Sequence, residues 1–157
     1  MLGKMNSIEE LERLLPHRRP MVMLAEPLPE EEHGVATAFI DTSAGSIFFD
    51  PEIDGVPSCA ALEFMAQTMA LAVGRDRIGK GLDPAVGFVL GTRKMDVSTD
   101  GFSRGKRYMA RAACTYTDGE FASFDCSIRD VDGDAVVATA TLTAFQPDDL
   151  EAMEKMI

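Results

Sequence analysis

The sequence predicts an α+β fold in which a curled antiparallel sheet wraps one buried helix. Three observations predict it. The stretch Ser58–Gly74 is rich in Ala, Leu and Met, contains no Pro, and carries Glu63 as its one charged residue. It is apolar nearly all round, the mark of a helix buried on every side. The second half of the chain reads as successive strands punctuated by Asp118-Gly119 and Asp132-Gly133, both hairpin signals. Helix first and a run of strands after it is an α+β order.

The elements follow in sequence. Ser7 and Glu10 form a capping-box pattern, and Ile8, Leu11, Leu14 and Leu15 give a short helix its apolar stripe. Pro16 and Pro20 end that helix and impose an extended segment. Met21–Leu24 reads as a strand, Pro27–His33 as a charged turn, and Gly34–Ile40 as a second strand paired with the first. Asp41–Pro57 reads as irregular. The long helix spans Ser58 to Gly74, with Gly74 as its C-terminal stop. Val86–Val97, Arg107–Tyr116, Phe121–Arg129 and Ala135–Phe145 form a meander, with a turn-rich loop at Ser98–Gly105. Pro147–Ile157 reads as a short amphipathic helix with Asp148 and Asp149 in its first turn, where the macrodipole favours acids. One curled sheet around one central helix is the hot-dog fold. A single such sheet leaves an edge strand and part of the helix uncovered, so a dimer is expected.

At 157 residues the chain fits a single domain, 1–157. Its net charge of −11 opposes nucleic-acid binding and anionic membrane surfaces. The first residues lack the apolar core of a secretory leader, and the long helix carries Glu63, Gln67 and Thr68, so a cytoplasmic chain with no membrane span is expected. Cys59, Cys114 and Cys126 show no paired spacing and are expected as buried free thiols. Two scattered histidines give no ligand spacing, so no metal and no cofactor are expected.

A carboxylate in an apolar helix must find partners or stay protonated. Glu63 is therefore either a satisfied structural acid or a tuned catalytic one. Its helical face carries Cys59, Ala60, Ala66, Gln67 and Ala70, small apart from Gln67. Such a face admits either a closely packed backbone or a slim ligand. Gln67, one turn on, is either a partner for Glu63 or a core amide bonded to backbone.

Leu14-Leu-Pro-His-Arg-Arg-Pro-Met-Val-Met-Leu24 resembles the "LLPHR-x-P" opening of 3-hydroxyacyl-acyl-carrier-protein dehydratases. Ala61-Leu-Glu-Phe-Met-Ala-Gln67 resembles that family's helix motif, in which an acid precedes "MAQ". Leu90-Gly91-Thr92-Arg93, Phe121-Ala-Ser-Phe-Asp-Cys126 and Phe145-Gln-Pro-Asp148 look closest to the dehydratase-like proteins of aryl polyene lipid clusters. The resemblance implies a hot-dog fold and elimination of water from a 3-hydroxyacyl thioester held on acyl carrier protein or coenzyme A. In that chemistry a histidine removes the proton beside the thioester carbonyl and a helix carboxylic acid protonates the leaving hydroxyl. Helix N-terminal amides polarise the carbonyl. Glu63 matches the acid. Pro57 and Ser58 match the helix start, with Ser58 where the family usually has Gly, and the amide of Ser58 or Cys59 is the implied carbonyl donor.

The family's base falls in an "HFPG" segment, and here that position is Phe49, in Ile47-Phe-Phe-Asp-Pro51. Three alternatives stay open: His17 as base, Asp50 as base, or a non-catalytic subunit that shapes a pocket shared with a second hot-dog chain. A hot-dog thioesterase that works through Glu63 without a histidine is a further alternative. Phe48 and Phe49 are candidate acyl-lining residues, and His33 reads as a solvated turn residue. Arg75, Arg77, Lys80, Arg93, Lys94, Arg104, Lys106 and Arg107 are either solvated charge or a guide for an acidic carrier. The implied assembly is a homodimer, or a heterodimer with another hot-dog subunit.

Overall fold

The computed structural model describes residues 5–148 and 150–155. Helix α1 spans Ser7–Leu14. Its cap lies one residue earlier than expected. Asn6 is extended, its side chain accepts the Glu9 N–H at 2.9 Å, and the Glu9 carboxylate accepts the Asn6 N–H at 3.3 Å. Ser7 is already helical. Leu11 and Leu14 turn inward, as the stripe predicts.

Strand β1 is Leu24–Pro27 and β2 is Val35–Ile40. β1 begins where the expected strand ends, because Met21 and Met23 give backbone groups to a side chain on the long helix instead of to a sheet. The segment read as irregular ends in a short strand, β3 (Gly55–Pro57), which pairs with β5 (Gly101–Ser103) in a separate two-stranded sheet. The remaining strands are β4 (Phe88–Val97), β6 (Tyr108–Asp118), β7 (Phe121–Asp130) and β8 (Ala135–Phe145). Among the described residues six strands form the main sheet, in the order β1-β2-β6-β7-β8-β4, with antiparallel neighbours throughout. The expected meander therefore holds from β6 to β8 only. β4 crosses to the far edge beside β8, with bulges near Gly91 and Arg93.

The long helix opens with a 3₁₀ turn at Ser58–Ala60 and continues as α2, Ala61–Gly79. It runs one turn past the expected stop. Gly74 does not end the helix; it admits α1. A Cβ there would stand 1.8 Å from the carbonyl oxygen of Leu14, so the absent side chain is what lets the end of α1 seat on α2.

α2 lies across β2, β6 and β7. Phe64 meets Phe102 edge-on at 5.3 Å, and Phe102 meets Tyr108 edge-on at 5.1 Å, which ties the helix to β5 and β6. The buried Thr68 hydroxyl donates to the Phe64 carbonyl at 2.8 Å. The helix is not buried all round: Leu62 is exposed and Glu63, Ala66, Ala70 and Val73 are half-buried. The C-terminal helix α3 is short, Leu150–Glu154, and Asp149 lies outside the described residues. All three cysteines are free, but only Cys126 is buried; Cys59 is exposed because it sits on the 3₁₀ turn. Burial pushes the Cys126 thiol up to about 12. Among the described residues no helix is long and apolar enough to cross a membrane.

Candidate active site

His17 and Glu63 come together although 46 residues separate them in the chain. His17 Nε2 stands 3.8 Å from Glu63 Oε1, and the side chains are 29% and 39% exposed, open enough for a ligand to reach both.

Four side chains, Pro16, Arg18, Arg19 and Gln67, build this pairing. Pro16 closes α1 and turns the chain. Arg18 then reaches back, and its Nη1 donates to the carbonyls of Glu12 (2.8 Å), Leu15 (3.1 Å) and His17 (2.8 Å). The guanidinium thus satisfies carbonyls at the helix end and fixes the backbone that presents His17. Arg19 adds an ion pair to Glu12 at 2.9 Å. Gln67 completes the frame from α2. It is fully buried and uses its whole amide: Oε1 accepts the Met23 N–H at 2.8 Å, and Nε2 donates both to the Met21 carbonyl and to Glu63 Oε1, each at 2.8 Å. Both sequence readings of Gln67 are realised in one residue. It is a core amide bonded to backbone, and it orients the carboxylate.

Replacing Gln67 with Leu should expose the weight of that frame. The change leaves the buried Met23 N–H without a partner, at a cost of about 1–3 kcal/mol. Thermal unfolding should fall accordingly. A melting temperature equal to wild type would remove the hydrogen-bonding role.

Burial lowers the pKa of His17 from its ordinary value, opposed by the Glu63 carboxylate, which raises it. The imidazole is therefore held toward its neutral, proton-accepting form. Its Nδ1 is buried without a hydrogen-bond partner among the described residues, so Nε2 is the ring nitrogen turned toward Glu63.

From this pair a cleft of about 720 Å³ runs along the half-buried face of α2, past Ala66, Ala70 and Val73. The small-residue face of the sequence is one wall of this cleft. Phe88 and Val89 of β4 and Phe121 and Phe124 of β7 belong to the facing side, and no sequence pattern marks them as joining it.

The other expected site residues lie elsewhere. Phe49 and Asp50 do not line the cleft. Phe49 packs under Arg104, whose guanidinium carbon sits 5.9 Å from the ring centre. The Asp50 carboxylate accepts the Glu52 N–H at 2.9 Å, and its backbone N–H donates to Gly55 at 2.7 Å, so it builds a turn. Ser58 and Cys59 sit on the 3₁₀ turn ahead of Glu63, outside the cleft, and no side chain caps either that turn or α2. His33 is exposed at the distal end, 3.6 Å from Asp76 and 3.8 Å from Glu30. Of the basic residues, Lys80, Arg104, Lys106 and Arg107 pair with Asp76, Asp54, Asp130 and Asp132. Arg75 and Arg77 donate to backbone carbonyls.

Residues 9–155 match the ApeP-like family model, described as ApeP dehydratase. The chain belongs to the ApeP-like dehydratase family. This ApeP-like chain is 31% identical over 93 residues to the 3-hydroxyacyl-acyl-carrier-protein dehydratase FabZ of Oceanobacillus iheyensis, an alignment covering 57% of the chain and 64% of that relative. The match thus spans just under two thirds of the relative's length. Among solved structures, the dehydratase heterocomplex ApeI:P from Xenorhabdus doucetiae superposes with a TM-score of 0.81 at 24% identity, covering 93% of this chain and 96% of that one. The E. coli PaaI protein of the phenylacetic acid degradation operon gives 0.59 at 12% identity, covering 78% of each. These likenesses show the hot-dog fold for the ApeP-like chain.

Proposed function

We propose that this chain is a dehydratase acting on 3-hydroxyacyl thioesters, carried on acyl carrier protein or coenzyme A, in fatty-acid or polyene biosynthesis. The observation that carries the reading is the imidazole–carboxylate pair 3.8 Å apart at the head of a cleft whose helix wall is apolar. His17 Nε2 takes the proton from the carbon beside the thioester carbonyl. Glu63, as the acid, gives its proton to the departing hydroxyl; the C–O bond breaks, and a 2-enoyl thioester and water are left. The imidazolium and carboxylate that result are close enough to pass the proton back and reset the site.

The pH dependence tests the role of His17. A base works unprotonated, and burial disfavours its charged form, so protonation and loss of activity fall below the ordinary value of 6.5. kcat/KM should hold from neutral pH down past 6.5 and then decline as pH falls further. His17→Ala should erase that acid limb along with most of the rate. An unchanged acid limb in His17→Ala would remove His17 as the base.

A second hot-dog subunit belongs to this reading. Among the described residues β4 is paired on one side only, and Phe88, Val89, Leu90 and Val97 stand exposed on it. Arg93 and Lys94, on the same strand, make no ion pair among the described residues. The loop around Phe49 supplies no base to the cleft of its own chain, which favours pairing with a subunit that carries one. Activity that appears only on mixing with such a subunit would make this chain the supporting member of a heterodimer.

A further inference from the structure

Along its helix wall the cleft is apolar between two charged ends, while Thr117, Glu120, Gln146 and Asp148 add polar groups on its other sides. At one end stand His17 and Glu63; at the other stand His33, Asp76 and Lys80. Between Glu63 and Asp76 the helix presents Ala66, Met69, Ala70 and Val73, with no polar side chain among them. A peptide segment laid there would bring backbone N–H and C=O groups and find no side-chain partners on that wall. A hydrocarbon chain brings none. Thirteen residues of helix separate Glu63 from Asp76, about 20 Å at 1.5 Å per residue. The volume of about 720 Å³ falls in the range that encloses a whole small ligand.

We propose that Ala70 sets the length of acyl chain that this cleft accepts. The proposal rests on the reading that puts the thioester at His17 and Glu63. Ala70 is seven residues beyond Glu63, about 10 Å along the helix. An extended chain with C–C bonds of about 1.5 Å advances about 1.25 Å per carbon, so Ala70 lies about eight carbons beyond the 3-carbon that faces Glu63, beside roughly the eleventh carbon. Its methyl group leaves the passage open toward the distal end. A branched side chain there would close it, leaving the head of the cleft unchanged.

Saturated acyl-pantetheines test this without catalysis, because they lack the 3-hydroxyl and cannot eliminate water. Binding of the butyryl, octanoyl and dodecanoyl compounds is measured by titration calorimetry. The wild-type chain should bind more tightly at each step, at least several-fold from octanoyl to dodecanoyl, as further methylenes leave water. Ala70→Leu should leave butyryl binding within about threefold and reduce dodecanoyl binding about tenfold or more, to the octanoyl level. Ala144→Leu, which narrows the cleft from β8, should also cut the ladder short and guards against a variant that does not fold. Wild-type affinity independent of chain length, or an equal loss for every chain in both variants, would overturn the proposal. A normal ladder without turnover of 3-hydroxyacyl thioesters would instead sink the dehydratase reading and leave the channel standing.

Discussion

Glu63→Gln is expected to lower turnover of a 3-hydroxyacyl or 2-enoyl thioester by about 100-fold or more, the scale of losing an acid–base group. The substitution is nearly isosteric. Gln67 Nε2, which donates to Glu63 Oε1 at 2.8 Å, finds an amide oxygen in the same place. The half-exposed position of residue 63 means that no buried charge is stranded or removed. Thermal stability should therefore move little, and the loss should appear in kcat more than in KM. Steady-state kinetics beside a thermal melt separates the two. A variant that keeps wild-type turnover would take Glu63 out of the chemistry, and with it the main reason for placing a reaction in this cleft.

Gly74→Ala should produce the largest structural effect of any single methyl group. The added carbon would lie 1.8 Å from Leu14 O and 2.9 Å from Leu14 C, and both are backbone atoms that no rotamer change can clear. α1 must move outward, and it carries Leu11 and Leu14 in the core, with Leu15 just beyond it. Overpacking of this kind costs about 3 kcal/mol, which for a domain of this size lowers the melting temperature by about 6–12 °C. His17 follows directly on α1, so the same shift should widen the His17–Glu63 gap and reduce kcat beyond what stability explains. A melting temperature equal to wild type would contradict the α1–α2 contact itself.

The parts of the fold that local chemistry determines were legible in the sequence. β6, β7 and β8 are joined by Asp-Gly turns and alternate in burial, and α2 is made of strong helix formers. The parts that depend on distant partners were not. The place of β4 at the far edge follows from pairing with β8, more than forty residues away. β3 and β5 are three residues each, too short to show a period. Gly74 carries a common helix-stop signal, and only the approach of α1 reveals its other use. The site divides in the same way. Glu63 and Gln67 share a helix face at i, i+4, a relation that sequence spacing exposes. His17 reaches them through a turn held by Arg18, whose hydrogen bonds to three carbonyls leave no periodic trace. Phe49 and Asp50 entered through likeness to a motif, and their side chains are engaged locally, one under Arg104 and the other in its own turn.

The most direct test follows both ends of the thioester at once. A 2-enoyl thioester is incubated with the purified chain, alone and with a second hot-dog subunit, and mass spectrometry tracks addition of water while a thiol reagent reports cleavage. The dehydratase reading predicts interconversion of enoyl and 3-hydroxyacyl thioesters, dependent on Glu63 and His17, with no free thiol. Release of free thiol without interconversion would contradict it and identify a thioesterase working through Glu63.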